Sequence, residues 1–385
     1  MDFELNEDQV AFADMARAFA ENELAPHAAE WDQQAHFPVD VLKKAGELGF
    51  CSLYTAQEHG GMGLSRLDSH IIFEQLAMGC TSTTAYLTIH NMVTWMVATF
   101  GSDLVRDRYA GELASGVKLG SYCLTEPNAG SDAASLKTSA RRDGDHYIVN
   151  GSKCFISGAG STDVLVVMAR TGGEGASGIS ALVIDADSAG ISYGRKEDKL
   201  GWNCQPTRMI TFEDVKVPVG NLLASEGEGF KLAMKGLDGG RLNIATCSLG
   251  TAQQALNEAR DYMLERRQFG KRLADFQALQ FKLADMATEL VAARQMVRLA
   301  ASKLDNGHGD ATTYCAMAKR FATDVGYRVC DEALQLFGGN GYIKEYPLER
   351  YLRDSRVHRI LEGTNEVMRL IISRRLLSEG AAELL

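Results

Sequence analysis

The 385-residue chain has no apolar run approaching the ~18 residues of a membrane span, so no membrane-spanning helix is expected. It has no excess of basic residues. Forty Lys and Arg against fifty Asp and Glu give a formal charge of −10, which argues against non-specific affinity for nucleic acid or anionic lipid and leaves any anionic ligand to local cations. The eight cysteines (Cys51, Cys80, Cys123, Cys154, Cys204, Cys247, Cys315, Cys330) include no C-x-x-C pair and no histidines at zinc-ligand spacing. They read as small buried hydrophobes in a reducing compartment, and no metal site is expected. No G-x-x-x-x-G-K-[ST] loop is present, which speaks against an NTPase, and no repeat or low-complexity segment is visible. The start, Met1-Asp2-Phe3-Glu4, is acidic where signal and transit peptides are basic, so the expected location is the bacterial cytoplasm, or the mitochondrial matrix for a processed eukaryotic form.

What is present is ordinary globular composition, 45% hydrophobic and 23% charged, enough for two or three cored domains. Residues 1–118 have helical periodicity. Asn6 can cap and Gln9 can complete a capping box, with Phe12, Met15, Ala16 and Phe19 on one face and Pro26 at the exit. Further helical segments span Val41 to Leu48, Ser69 to Met78 and Ala85 to Phe100. In residues 119–226 the period becomes that of strands: His146 to Val149, Cys154 to Ser157, Val164 to Ala169, Ile179 to Ile184 and Met209 to Phe212. Asn150-Gly151 between two of these is the strongest hairpin signal, and a β-barrel or sandwich is expected. Gly173 to Gly178 matches G-x-G-x-x-G, but a strand rather than a helix follows, so it reads as a hairpin loop and not a dinucleotide fold. Residues 227–385 return to helix. Leu279, Leu283, Met286, Leu290, Ala293, Val297, Ala300 and Leu304 form a seam, and with Ala245 to Arg267, Ala311 to Phe337 and Glu366 to Leu377 a four-helix bundle is expected. The fold class is therefore α+β multidomain, in the order α, β, α.

Several segments have a plain reading and a chemical one. Glu362 before Gly363-Thr364 is, alone, more readily a solvated turn residue than an acid or base. Tyr122-Cys123-Leu124-Thr125-Glu126-Pro127-Asn128-Ala129-Gly130-Ser131-Asp132 is, alone, a polar loop. Glu265-Arg266-Arg267-Gln268-Phe269-Gly270 reads as a charged helix end capped by glycine, and Gln335 to Gly341 as a glycine-rich helix stop. Asp238-Gly239-Gly240-Arg241 interrupts a helix, with each glycine costing roughly 1 kcal/mol relative to alanine. Taken together, the Glu362 segment and the Tyr122 segment resemble those of acyl-CoA dehydrogenases, FAD enzymes that introduce the α,β double bond of an acyl thioester. The resemblance covers nearly the whole chain.

The resemblance implies a set of roles. Tyr122, Leu124 and Thr125 would face the flavin ring, Ser131 the pyrophosphate side and the acyl-CoA, and Phe155, Ile156 and Ser157 the ring and its N5. Arg266, Gln268, Phe269, Phe276 and Gln277 would reach the FAD of a neighbouring subunit, joined by Gln335, Gly338, Gly339, Thr364, Asn365 and Glu366. Asp238, Gly239, Gly240, Arg241 and Arg374 would border the acyl-CoA. One branch of the family carries its catalytic glutamate just before the arginine; here that residue is Gly240, which leaves Glu362 as the matching base. Glu362, desolvated so that its pKa rises, would take the α-proton while the β-hydrogen leaves as hydride to FAD N5. The thioester oxygen would be held by the Glu362 N–H and the FAD ribityl chain. Electron-transferring flavoprotein is the implied acceptor and a homotetramer the implied assembly. Gly79 to Tyr86, Gly201 to Arg208 and Arg353 to Arg359 look most like the branch acting on short, branched acyl-CoAs, isobutyryl-CoA first, with 2-methylbutyryl-CoA or butyryl-CoA as alternatives. Asp238 and Asn128 depart from the family pattern, which bears on the substrate more than on the reaction. An acyl-CoA oxidase would use the same fold, though the compact length favours the dehydrogenase. A non-enzymatic assembly factor is opposed by the retained Glu362 and flavin segments.

Overall fold

The structure, a computed structural model, describes residues 4–380, so Met1 to Phe3 and their acidic residue lie outside it. Helix α1 (Glu7–Phe19) opens on the expected capping box: the Asn6 side chain accepts from the Gln9 N–H at 2.9 Å, and the Asn6 N–H donates to Gln9 Oε1 at 3.2 Å. Ala16 and Phe19 are buried and Phe12 packs beside them, whereas Met15 turns off that face, 38% exposed. One π-helical turn (Ala20–Leu24) leads past Pro26 into α2 (Ala28–Gln34), followed by α3 (Val39–Glu47), α4 (Arg66–Gly79) and α5 (Thr81–Phe100). Two short helices, α6 (Asp103–Val105) and α7 (Gly111–Ala114), end the first helical region.

The middle region is one eight-stranded sheet, formed by β1 (Gly120–Cys123), β2 (Ser139–Asp143), β3 (His146–Ser157), β4 (Val164–Arg170), β5 (Ile179–Asp185), β6 (Ile191–Tyr193), β7 (Thr207–Pro218) and β8 (Leu222–Leu223). The order is β6-β7-β3-β2-β4-β5-β8, with β1 parallel beside β4. Strand β4 explains why its sequence does not alternate. Val164, Val166 and Met168 pack with Met92, Met96 and Leu232 of the flanking helices, while Leu165, Val167 and Ala169 pack with Val149, Phe212 and Val215 of the other strands. The Gly173–Gly178 stretch is the loop joining β4 to β5, as expected.

Asn150-Gly151 is not a hairpin. It lies inside the continuous strand β3, where the register against β7 shifts between Val149 and Gly151. Gly151 has φ +142, and a Cβ there would sit 2.6 Å from Thr138 Oγ1, so the glycine serves a bulge against the segment that leads into β2. The reversal falls at Gly144 (φ +62), between the paired Asp143 and His146.

Three long helices, α8 (Gly229–Glu265), α9 (Gln277–Asp305) and α10 (Ala311–Phe337), share one core. The α9 seam is as expected: Met286, Leu290, Ala293, Val297 and Ala300 are buried, and Leu279, Leu283 and Leu304 pack at its margins. Helix α11 (Leu348–Arg356) closes the core, and α12 (Asn365–Glu379) lies along α10 with only Asn365 and Met368 buried. Between α8 and α9 a small exposed hairpin carries β9 (Arg267–Gln268) and β10 (Lys271–Arg272). All eight cysteines are free and buried.

Candidate active site

Glu362 lies in the turn that links the 3-10 turn Val357–Arg359 to α12. Its φ is +56 and that of Gly363 is +88, a left-handed pair that a residue with a Cβ adopts only under constraint. Thr364 then caps α12, its hydroxyl accepting from the Val367 N–H at 3.3 Å. The carboxylate reaches α8: a Cβ on Gly240 would stand 2.5 Å from Glu362 Oε2, and one on Gly239 would stand 2.4 Å from an Arg66 guanidinium nitrogen. Helix α8 therefore runs unbroken through Asp238 to Arg241, contrary to the interruption expected from sequence. What the two glycines supply is room for Glu362 and Arg66, which offsets their unfavourable helix propensity.

The residue Glu362 is half-buried, but its Oε2 is sealed from water and has no hydrogen-bond partner. Burial pushes its pKa up to about 7, against the opposing pull of the Arg241 and Lys319 charges. Arg241 is itself buried and paired with Asp238 at 2.5 Å, leaving its Nε unpartnered. Across from α8, the Tyr122 hydroxyl of β1 is also buried and unpartnered, and its pKa is raised by burial and by the Glu362 charge. Tyr54 stacks under the Arg66 guanidinium at 3.4 Å, its hydroxyl likewise without a partner. Unsatisfied buried groups of this density mark a place where a ligand supplies the missing partners.

The strand-borne flavin segments meet each other. The Cys154 N–H donates to Thr125 O at 2.9 Å, and buried Lys153 donates to Leu124 O at 3.0 Å and to Glu126 at 2.8 Å. Glu126 in turn accepts from the Lys137 and Thr138 N–H groups, so the Leu124-Thr125 backbone is fixed from below. Leu124 is buried and Thr125 half-buried; Ser131 is exposed and Ser157 half-buried. Phe155 stands out at φ +57 with 69% of its surface exposed, whereas the Ile156 side chain turns into the sheet core and can offer a cofactor only its backbone. A Cβ on Gly130, Gly338 or Gly339 would meet no atom within 4 Å, so these loops border open space.

Other expected residues lie elsewhere on the chain. Arg266, Gln268 and Phe269 sit on the exposed hairpin, with Phe269 94% exposed at φ +54. Phe276 packs edge-on against Phe269 at 6.2 Å, and exposed Gln277 begins α9. Gln335 and the Gly338-Gly339 turn are at the same end of the bundle, where Tyr262 stacks on Phe337 at 4.0 Å and Asn340 bonds the Tyr262 hydroxyl. Glu366 and Arg374 are exposed on α12. Asn365 departs from expectation. Its side chain faces inward to Lys319, Thr323 and Asp324, so it could meet a cofactor only through its backbone. Sequence reading passed over Lys319, Tyr54 and Arg66. A signal existed for Lys319, which falls four residues after buried Cys315 and three before buried Ala322, on the apolar seam of α10.

A strained, desolvated carboxylate beside an open, backbone-lined cradle suits the removal of hydrogen from adjacent carbons. The acyl-CoA dehydrogenase family matches in three consecutive parts: its N-terminal domain over residues 6–117, its middle domain over 121–215 and its C-terminal domain over 227–377. The chain is 56% identical over 375 residues to the mitochondrial isobutyryl-CoA dehydrogenase of Bos taurus, covering 97% of this chain and 90% of that protein. It is 55% identical to the mitochondrial isobutyryl-CoA dehydrogenase of Dictyostelium discoideum, again with 97% and 90% covered. Among solved structures, butyryl-CoA dehydrogenase from Megasphaera elsdenii superposes with a TM-score of 0.95 at 40% identity, covering 98% of this chain and 100% of that one. The chain belongs to the acyl-CoA dehydrogenase family. It is an FAD-dependent oxidoreductase acting on the CH–CH group of an acyl-CoA, and the open glycine loops and the fixed Leu124-Thr125 backbone fit that cofactor.

Proposed function

We propose that the enzyme oxidises isobutyryl-CoA to methacrylyl-CoA, a step of valine breakdown, with Glu362 as the base. The observation that carries the base assignment is the Glu362 Oε2 atom, buried, unpartnered and facing a glycine of α8. The α-hydrogen of a thioester is weakly acidic, so the base must be desolvated and the enolate oxygen held. The Glu362 N–H has no backbone partner among the described residues and is available to that oxygen. When bound, FAD would supply the acceptor for the β-hydrogen and its electron pair. Exposed Phe155 would cover the ring, and Tyr122, Thr125 and Ser157 would line it. Arg266, Gln268, Phe276 and Gln277 would serve the FAD of a second subunit, where a guanidinium pairs with phosphate.

The short branched substrate is supported by the two isobutyryl-CoA dehydrogenase relatives and by what lies behind the base. Ala85, Trp202 and Ile244 form a buried cluster against which Leu361 packs, and the three segments that favour this branch converge there. Trp202 N donates to Asp354 at 2.6 Å, and Cys80 and Cys204 approach to 4.0 Å. A packed cluster at this place would leave little room for an acyl chain beyond a short branched one. Electron-transferring flavoprotein is the acceptor we assign. A homotetramer fits the apolar surface left bare on α9 and α12, including Phe281, Val291, Leu370 and Leu377. No helix among the described residues is long and apolar enough to cross a membrane; the bacterial cytoplasm, or the mitochondrial matrix in a eukaryote, is the location we assign.

Anaerobic mixing of the holoenzyme with acyl-CoAs, followed by flavin bleaching, tests substrate and reaction together. Each methylene that fails to fit is worth roughly 1–3 kcal/mol, so the expected kcat/KM order is isobutyryl, 2-methylbutyryl, then butyryl, with octanoyl-CoA lower by orders of magnitude. A preference for octanoyl-CoA or isovaleryl-CoA refutes the substrate. Butyryl-CoA in first place would favour the reading suggested by the Megasphaera structure.

A further inference from the structure

We propose that Lys319 is a positioning residue for proton abstraction, clamping the Gly363 carbonyl so that Glu362 keeps its left-handed backbone, and keeping the buried carboxylate ionised by its charge. The inference rests on Glu362 being the base. Lys319 projects from the apolar seam of α10 and is 0% exposed. Its ammonium donates to Gly363 O at 2.8 Å and to Asn365 Oδ1 at 3.0 Å, both neutral oxygens. It forms no ion pair within salt-bridge distance among the described residues, which is unusual for a cation withdrawn from water. A methionine would fill the same space without that desolvation, so the cation calls for a reason beyond packing.

The geometry supplies one. The Glu362-Gly363 turn is held to α10 at both ends: before it by Arg359 paired with Asp324 at 2.8 Å, and after it by Lys319 on Gly363. Asn365 completes the frame by donating to Asp324 at 3.0 Å and to Thr323 at 3.0 Å. The clamp fixes the carbonyl that follows two positive-φ residues, where an L side chain is otherwise strained.

The charges around the carboxylate can be assigned in turn. From α8 come Arg241 and Asp238, already paired with each other. From β1 and the loop before α4 come the Tyr122 and Tyr54 hydroxyls, whose pKa values are raised by burial. From the 3-10 turn come Arg359, paired with Asp324, and His358, held neutral by burial with a pKa of about 3 and bonded to Ser248. Arg320 pairs with Asp324 on α10 at 3.7 Å, and Glu366 is exposed on α12. From α4 comes Arg66, stacked over Tyr54 at 3.4 Å and, like Lys319, without an ion pair among the described residues; of these two unpaired cations, Lys319 is the one that also holds the Glu362-Gly363 turn, through the Gly363 carbonyl. Burial lowers the Lys319 pKa to about 7, and Glu362 titrates in the same range, so the two ionisations are linked.

The test uses the FAD-loaded holoenzyme with Lys319→Gln, which keeps a donor for Gly363 but no charge, and Lys319→Arg, which keeps the charge. An opposite charge holds a carboxylate pKa down, so its loss should move the acid limb of the flavin-reduction rate up by about one pH unit. Near pH 7 the Gln variant should then run about fivefold slower, approaching tenfold near pH 6 and recovering toward the wild-type rate at pH 9, with FAD content and acyl-CoA affinity retained. Lys319→Arg should return the limb toward its wild-type position. A Gln variant whose limb stays put, whether its rate is unchanged or uniformly lowered, overturns the proposal. Should neither variant fold, the wild-type minus Glu362→Gln infrared difference spectrum reports the carboxyl band of the unsubstituted site. Ionisation near neutral pH in two linked steps is expected, and a single step at ordinary carboxylate pH counts against the lysine. Failure of the base assignment is a different result, namely near wild-type flavin bleaching in Glu362→Gln.

Discussion

The corner around Glu362 and the hairpin around Phe269 hold the same backbone feature, a non-glycine residue at φ +56 in one and +54 in the other, each followed by a glycine. Their surroundings are opposite. At Glu362 the turn is clamped from α10, faced by a glycine of α8 and closed to water at Oε2, whereas Phe269 is 94% exposed and Arg266 is exposed beside it. Strain of ~1–3 kcal/mol persists only where the surroundings over-determine the conformation. The first corner finds those surroundings within one chain. The second does not, and so points to a ligand or another subunit to complete it.

The sharpest separation of the two regions comes from one substitution in each. Glu362→Gln keeps shape and hydrogen-bonding capacity, so FAD and acyl-CoA should stay bound while the rate of flavin bleaching falls by roughly three orders of magnitude or more. Near wild-type bleaching would remove Glu362 from the chemistry. Arg266→Ala should do the reverse, lowering FAD occupancy by about tenfold or more and loosening the oligomer together, with the reductive rate per bound flavin unchanged. Full FAD occupancy in a stable monomer would break the comparison, because the hairpin would then need no second subunit. Flavin absorbance and sedimentation velocity on the same samples read both quantities.

Gly240→Ala sharpens the corner itself. Its Cβ would fall 2.5 Å from Glu362 Oε2, so the carboxylate must move, while α8 gains helix propensity. The expected outcome is a thermal midpoint equal to or above that of wild type with roughly tenfold slower flavin reduction, since small misplacements of a reacting group are costly. An unchanged rate would show that the carboxylate has slack at this point.

How much of this was legible in the sequence depended on whether neighbours along the chain or across it set the outcome. The capping box of α1, the α9 seam and the β4 run were readable because each is decided by local periodicity. Asn150-Gly151 misled because a contact from Thr138, on the adjoining segment, turned a turn-forming pair into a bulge. Gly239-Gly240 looked like a helix break for a similar reason: the side chains needing the space, Arg66 and Glu362, are far away in sequence. The base could be named from its motif, but not its left-handed backbone or the lysine beneath it. The spacing of Lys319 from Cys315 and Ala322 puts it on the apolar seam, but a long side chain there can still carry its ammonium out to water, so the Gly363 carbonyl it meets was not readable.

The smallest expected effect concerns stability and separates the regions once more. In the folded chain Glu362 has a pKa of about 7 against an unfolded value of 4.5, so ionising it opposes folding. For a raised carboxylate that cost is absent below pH 4.5, grows between 4.5 and 7, and is complete above 7. A tenfold change in an acid's ionisation constant corresponds to about 1.4 kcal/mol, and the half-buried position reduces the whole to on the order of 1–2 kcal/mol. The apo form of Glu362→Gln should therefore be more stable than wild type by about that amount at pH 8 and by little at pH 5, read from denaturant midpoints at both pH values. Arg266→Ala, at an exposed position, should stay within about 0.5 kcal/mol of wild type at either pH. If Glu362→Gln gives the same small difference at pH 5 and pH 8, the carboxylate is well solvated in the folded chain, and the contrast between a buried corner and an open hairpin fails at its centre.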